Sequence, residues 1–114
     1  MEENVTVDPK DAQDNKIMGI LAYFGILFLV PYFVAKESKF ARFHANQGCI
    51  LFILMIAVQV LITVFGMISV LSWLSLLLSL LYLVIFVFAI MGIINAAKGE
   101  MKELPLIGKY RILK

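Results

Sequence analysis

The stretch ANQGCILFILMIAVQVLITVFGMISVLSWLSLLLSLLYLVIFVFAIMGIINAA, Ala45–Ala97, runs for 53 residues without Asp, Glu, Lys, Arg or His. At ~1.5 Å of rise per residue a continuous helix of that length would reach ~80 Å, against a bilayer core ~30 Å thick. One crossing is too short for it and two fit. The stretch therefore predicts a transmembrane hairpin with spans at about 45–65 and 73–97. The Gly66–Ser72 segment, GMISVLS, is its only plausible turn, and Trp73 would anchor the returning helix at the interface.

Outward from this stretch, Ile17–Ala35 is a third apolar run bracketed by Lys16 and Lys36. Nineteen residues just cross the hydrocarbon, so the sequence predicts an all-α integral membrane protein with three transmembrane helices. Pro31 near the end of that run would kink or terminate the helix. Residues 1–16 carry five acids and Pro9 without hydrophobic periodicity, and read as a flexible acidic tail. Lys36–His44, KESKFARFH, suits a headgroup-level loop in which Lys36, Lys39 and Arg42 face anionic lipid. Residues 98–114 mix Lys and Arg with Leu, Ile and Tyr, and read as a basic tail lying in the interface.

Composition agrees. The chain of 114 residues is 62% hydrophobic with mean hydropathy +0.96, outside the soluble globular range. A net charge of +2 gives no reason to expect nucleic acid. The single Cys49 excludes an internal disulfide and a cysteine metal cluster, and reads as a small packing residue. The acidic N-terminus lacks the basic region of a cleavable signal peptide, so the first apolar run is expected to remain as an anchor. With three spans, the positive-inside rule places the N-terminus outside and the basic C-terminus in the cytoplasm of a multi-pass cell-membrane protein.

Small and polar residues at helical spacing mark packing faces in lipid. Gly48, Phe52, Met55, Gln59, Thr63 and Gly66 form such a line on the second span. Ser72, Ser75, Ser79, Tyr82, Phe86 and Ala89 form one on the third, continued by Gly92 and Ala96. Gln59, Thr63, Ser75 and Ser79 could bond between helices or line a solute path. At the cytoplasmic ends, Arg42, His44, Asn46 and Gln47 would meet Asn95, Lys98 and Glu100. Arg42–Glu100 and Asn46–Asn95 pairs would then lock the hairpin's register or form a small recognition site. A lone histidine is a poor zinc site, no nucleophile stands beside it for base catalysis, and no phosphate loop or paired carboxylate is present, so no cofactor, metal or catalytic residue is expected.

FARFHANQG (Phe40–Gly48), IINAAKGE (Ile93–Glu100) and LPLIG (Leu104–Gly108) resemble a family of small bacterial and archaeal membrane proteins related to the twenty-kilodalton subunit of the chloroplast inner-envelope import translocon. The resemblance covers roughly residues 16–114. It implies a four-helix membrane bundle as the alternative fold, a role in protein translocation, and Arg42, His44, Gln47 and Gly99 as the first positions to inspect. The leading expectation is a non-enzymatic component of a membrane complex, for which the resemblance implies protein translocation or insertion, acting as an oligomer or with a protein partner. The second is a homo-oligomeric channel or small-solute transporter.

Overall fold

The computed structural model describes residues 7–113. In chain order the helices are α1 (Pro9–Asp14), α2 (Lys16–Leu21), α3 (Leu29–Val34), α4 (Lys39–Gly66), α5 (Ser72–Ser79) and α6 (Leu81–Ala97). Single 3₁₀ turns at Gly25–Phe28 and Ser69–Leu71 lead into α3 and α5. Two helical arms are long and apolar enough to cross a membrane: Lys39–Gly66, of 28 residues, and Ser69–Ala97, of 29. Each is about 42 Å long by helical rise. They pair as the antiparallel hairpin expected from the charge-free stretch, and the chain reverses at Met67–Leu71, inside the predicted turn.

The hairpin's seam is apolar. Along the far half of α4 the more shielded positions include Leu51, Met55, Val58, Ile62 and Phe65, with Phe52 and Leu54 beside them; along the return arm they include Ser75, Leu78, Tyr82, Ile85, Ala89, Gly92 and Ala96. Both rows advance by alternating steps of three and four, the spacing of left-handed helix pairing. The polar stripe predicted for α4 is rotated off this seam. Thr63 and Ser79 are exposed, and Ser75 and Ser79 donate to Ser72 O and Leu76 O within their own helix at 2.6 Å. Gln59 reaches the partner helix from the side, accepting from Tyr82 Oη at 2.6 Å while donating to Thr63 Oγ1 at 3.2 Å. These four side chains are spent on local or interhelical bonds.

The third span is corrected. Residues 17–35 do not make one helix. α2 ends at Leu21, the chain turns through Ala22–Phe28, and α3 returns to the side from which α2 entered. Gly25 sits at φ +61°, a left-handed conformation that costs glycine nothing and other residues 1–2 kcal/mol or so. Pro31 lies in the first turn of α3, where a missing N–H breaks no helical bond. Irregular backbone at membrane depth is tolerated only when protein buries it. Here Ala22, Tyr23 and Phe28 are 0%, 6% and 7% exposed, packed with Cys49 and Leu51 of α4. Phe28 meets Phe52 with ring centroids 5.6 Å apart. Phe52 lies thirteen residues into α4, so the turn reaches at least about 20 Å along it. The segment turns back on itself as a re-entrant helical hairpin, so three spans are not supported. α1, the end of α3, the start of α4 and the end of α6 share one end of the molecule, where Ala12, Phe40, Phe43, Ala96 and Met101 form a second core.

Residues 9–14, read from sequence as part of a mobile tail, form α1 against the start of α4. Ser38 caps α4 by accepting from Ala41 N at 2.9 Å, and Asp11 accepts from Ser38 Oγ at 2.5 Å and from Phe40 N at 3.0 Å. A carboxylate at the positive end of a 28-residue helix is electrostatically favoured. Burial pushes the Asp11 carboxyl up, but bonds from Ser38, Phe40, Asn15 and Lys39 outweigh it and hold the group below its ordinary value of 3.8. Residues 1–6, including Glu2 and Glu3, lie outside the described residues.

Candidate functional site

Of the polar residues expected to meet at the helix ends, His44, Asn46 and Gln47 are buried and bond to backbone groups. His44 is fully buried in the first third of α4. Its Nε2 lies 2.7 Å from Glu100 O, and its Nδ1 lies 2.6 Å from Tyr23 Oη. A carbonyl only accepts, so Nε2 carries the hydrogen and Nδ1 accepts from the tyrosine hydroxyl. The ring is neutral, both nitrogens are occupied, and Phe40, Phe43 and Tyr23 meet it edge-on at 4.7, 5.2 and 5.6 Å. His44 thus joins the re-entrant turn, α4 and the end of α6.

The Glu100 carbonyl is aimed by the way α6 stops. Gly99 at φ +74° places its N–H on Ala96 O at 3.0 Å and the Glu100 N–H on Asn95 O at 2.8 Å. This is the paired-bond glycine cap of a helix C-terminus. The sequence IINAAKGE is therefore a stop signal that also positions a ligand for His44.

Asn46 and Gln47 continue the pattern. Gln47, fully buried, donates to Gly108 O at 2.9 Å and accepts from Leu104 N at 3.0 Å, spanning the LPLIG turn. Asn46, 2% exposed, donates to Tyr110 O at 2.6 Å and accepts from Ile112 N and Leu113 N at 2.6 and 3.0 Å. Within that turn Leu106 holds φ +69°, and Leu104 is 3% exposed in the core beside the re-entrant turn. The C-terminal segment is thus clamped across α4.

Two expected pairs are absent. Asn46 is committed to the C-terminal segment, and Asn95 reaches Lys102 O at 3.4 Å instead. Glu100 faces Lys102 at 3.6 Å rather than Arg42, because its backbone is turned toward His44. Arg42 is exposed and makes no ion pair among the described residues, and Lys98 is exposed too. Arg111 pairs with Glu103 at 2.7 Å and lies 5.3 Å from the Phe43 ring centre.

Glycines permit the close crossings. A Cβ on Gly48 would stand 1.8 Å from Ala22 O, and one on Gly92 would stand 2.1 Å from the Tyr23 ring. Ala96, fully buried, packs near Gly19 of α2. Gly48, Gly92 and Ala96, chosen from sequence as packing positions, also admit the first apolar segment. Tyr23 and Asp11 escaped the sequence reading. The signal for Tyr23 was a phenol at mid-depth in an apolar run, where its hydroxyl needs a partner.

Beneath the re-entrant turn an apolar groove of about 430 Å³ opens between α4 and α6, lined by Phe52, Met55, Tyr82, Ile85 and Phe86 among others. Among the described residues no three of His, Cys, Asp and Glu group to hold a metal ion.

Residues 14–112 match the model of the magnetosome magnetite crystal formation protein family. The chain is 36% identical over 97 residues to the UPF0132 membrane protein MJ1443 of Methanocaldococcus jannaschii, covering 83% of each. It is 27% identical over 110 residues to the magnetosome protein MamF of Magnetospirillum gryphiswaldense, covering 94% of each. No solved structure matches. The matched region takes in the three motifs on which the import-translocon resemblance rested, and neither family nor relatives link to a translocon subunit, so that resemblance and the translocation role it implied are withdrawn. With a family match over nearly its whole length and two long apolar helical arms, the chain is a membrane protein belonging to the magnetosome magnetite crystal formation family.

Proposed function

We propose that this protein is a non-enzymatic structural component of a cell or organelle membrane, assembled with copies of itself or with a protein partner through its long hairpin. The observation that carries the reading is the asymmetry of the fold. One end is a tightly bonded block of six chain segments. The other is a bare helical pair whose return arm is only 6% buried over its most apolar window. Lipid covers such a surface adequately, yet small and aromatic groups along it also suit helix–helix association. Kinship with MamF supports a membrane-component role, and the occupied nitrogens of His44 leave no free base for chemistry.

The orientation follows from charge. The described Lys and Arg residues all lie at the bonded end, and no charged residue lies between Ala45 and Ala97. Positive-inside then puts this end, with the first and last described residues, in the cytoplasm. The uncharged Met67–Leu71 turn faces the opposite side.

The test of assembly is the native mass of the protein extracted gently with its own lipid. A discrete multiple of 12.8 kDa, or a stoichiometric co-purified partner, is expected. A lone 12.8 kDa species in lipid-preserving conditions would contradict the assembly reading.

A further inference from the structure

At the bonded end, the C-terminal segment crosses α4 beside a shallow depression of about 280 Å³. One side of its lining is cationic: Lys39, Arg42 and Arg111. The other is apolar: Phe43, Met101 and Leu113. Among the described residues no carboxylate lines it. Arg42 makes no ion pair among the described residues. Arg111 is held in place by Glu103 and by bonds to Gly108 O and Tyr110 O, with its guanidinium over the Phe43 ring. Lys39 also borders a separate acidic depression formed by Asp8, Asp11, Asp14 and Glu37, so its charge is shared between the two. The depression sits where the charge-free stretch begins, one helical turn before Ala45, which is headgroup depth for a hairpin that enters the bilayer there.

We propose that this depression is a binding site for the phosphate headgroup of an anionic phospholipid. Arg42, with no ion pair among the described residues, meets the phosphate, and Arg111, fixed by Glu103, sets the rear of the site. Phe43, Met101 and Leu113 take the glycerol and the start of the acyl chains. The apolar half of the lining selects lipid over free phosphate, which would leave those side chains uncovered. Clamping of residues 110–113 by Asn46 keeps Arg111 and Leu113 in register with Arg42. The inference rests on the membrane reading above but not on assembly or orientation, because it is tested on the detergent-solubilised full chain.

The experiment is native mass spectrometry of that protein titrated with phosphatidylglycerol or phosphatidylcholine. Phosphatidylglycerol is expected to be retained preferentially. A cation in contact with the bound headgroup contributes roughly a five-fold change in lipid affinity, so Arg42→Gln weakens phosphatidylglycerol about five-fold, and Arg42→Gln with Lys39→Gln about 25-fold. Lys36→Gln, exposed and outside the depression, leaves it unchanged. Arg42 is exposed, so unaltered helicity of the variant is expected and checked by circular dichroism; Arg42→Lys, which keeps the charge, should retain most of the preference. Equal loss in Lys36→Gln, equal binding of the two lipids, or displacement of lipid by equimolar glycerol phosphate would each overturn the proposal.

Discussion

Gly48→Ala places a methyl group where the re-entrant turn crosses α4. The built Cβ stands 1.8 Å from the Ala22 carbonyl oxygen and 2.7 Å from its carbon. A tolerable carbon–oxygen contact is ~3.3 Å, so the turn must lift by about 1.5 Å. The obstacle is backbone, so no rotamer relieves it. Overpacking of this kind costs ~1–3 kcal/mol, which raises the open population of the re-entrant segment about five- to 150-fold. The chain supplies its own reporter: Cys49, its single cysteine, is 5% exposed in the core formed with Ala22, Tyr23 and Phe28. Maleimide labelling of Cys49 in native micelles should be slow in the wild type and accelerate by that factor in Gly48→Ala. Gly66→Ala is the control, since its Cβ meets nothing within 4 Å. Equal labelling rates in the wild type and Gly48→Ala would refute the crossing.

Asn46→Leu removes the bonds to Tyr110 O, Ile112 N and Leu113 N; at ~0.5–1.5 kcal/mol for each part-buried bond lost, the C-terminal segment should loosen, read as faster tryptic cleavage after Lys109 and Arg111 while α4 and α6 stay intact. Asp11 has a folded value below its unfolded value, so its contribution is present above ~pH 4 and lost as pH falls through the lowered folded value; the N-terminal segment should lose amide-exchange protection there, and Asp11→Asn should show that loss already at neutral pH. Gln59→Leu removes the Tyr82 bond and should lower hairpin stability by ~0.6 kcal/mol, at most ~1.7, in a steric-trap or denaturant titration.

What the residues disclosed divides by range. The hairpin was legible because charge-free length and bilayer thickness are local quantities, and the Gly66–Ser72 turn followed from them. The third crossing was misread because nineteen apolar residues satisfy the same length test whether the chain crosses or turns back. The deciding features are Gly25 at positive φ and the shelter offered by Gly48 and Gly92, which only the packed fold brings together. The polar cluster of His44, Asn46 and Gln47 was found from its residue types. Its partners were not, because a backbone carbonyl such as that of Gly108 or Glu100 leaves no mark in side-chain identity. Thr63 and Ser79 lie outside the shielded rows, with Ser79 donating to its own helix and Thr63 accepting from Gln59, whereas Met55, Ser75, Tyr82, Ala89, Gly92 and Ala96 of the same predicted stripes lie within them.

The central claim is that the first apolar segment enters the bilayer and returns, leaving two crossings and both termini on one face. The measurement that tests it most directly is protease protection of the chain carrying an N-terminal or a C-terminal tag in intact cells, each compared with permeabilised cells. The account predicts that both tags are shielded until permeabilisation. Cleavage of the N-terminal tag from outside, with the C-terminal tag still protected, would establish a third crossing and contradict it.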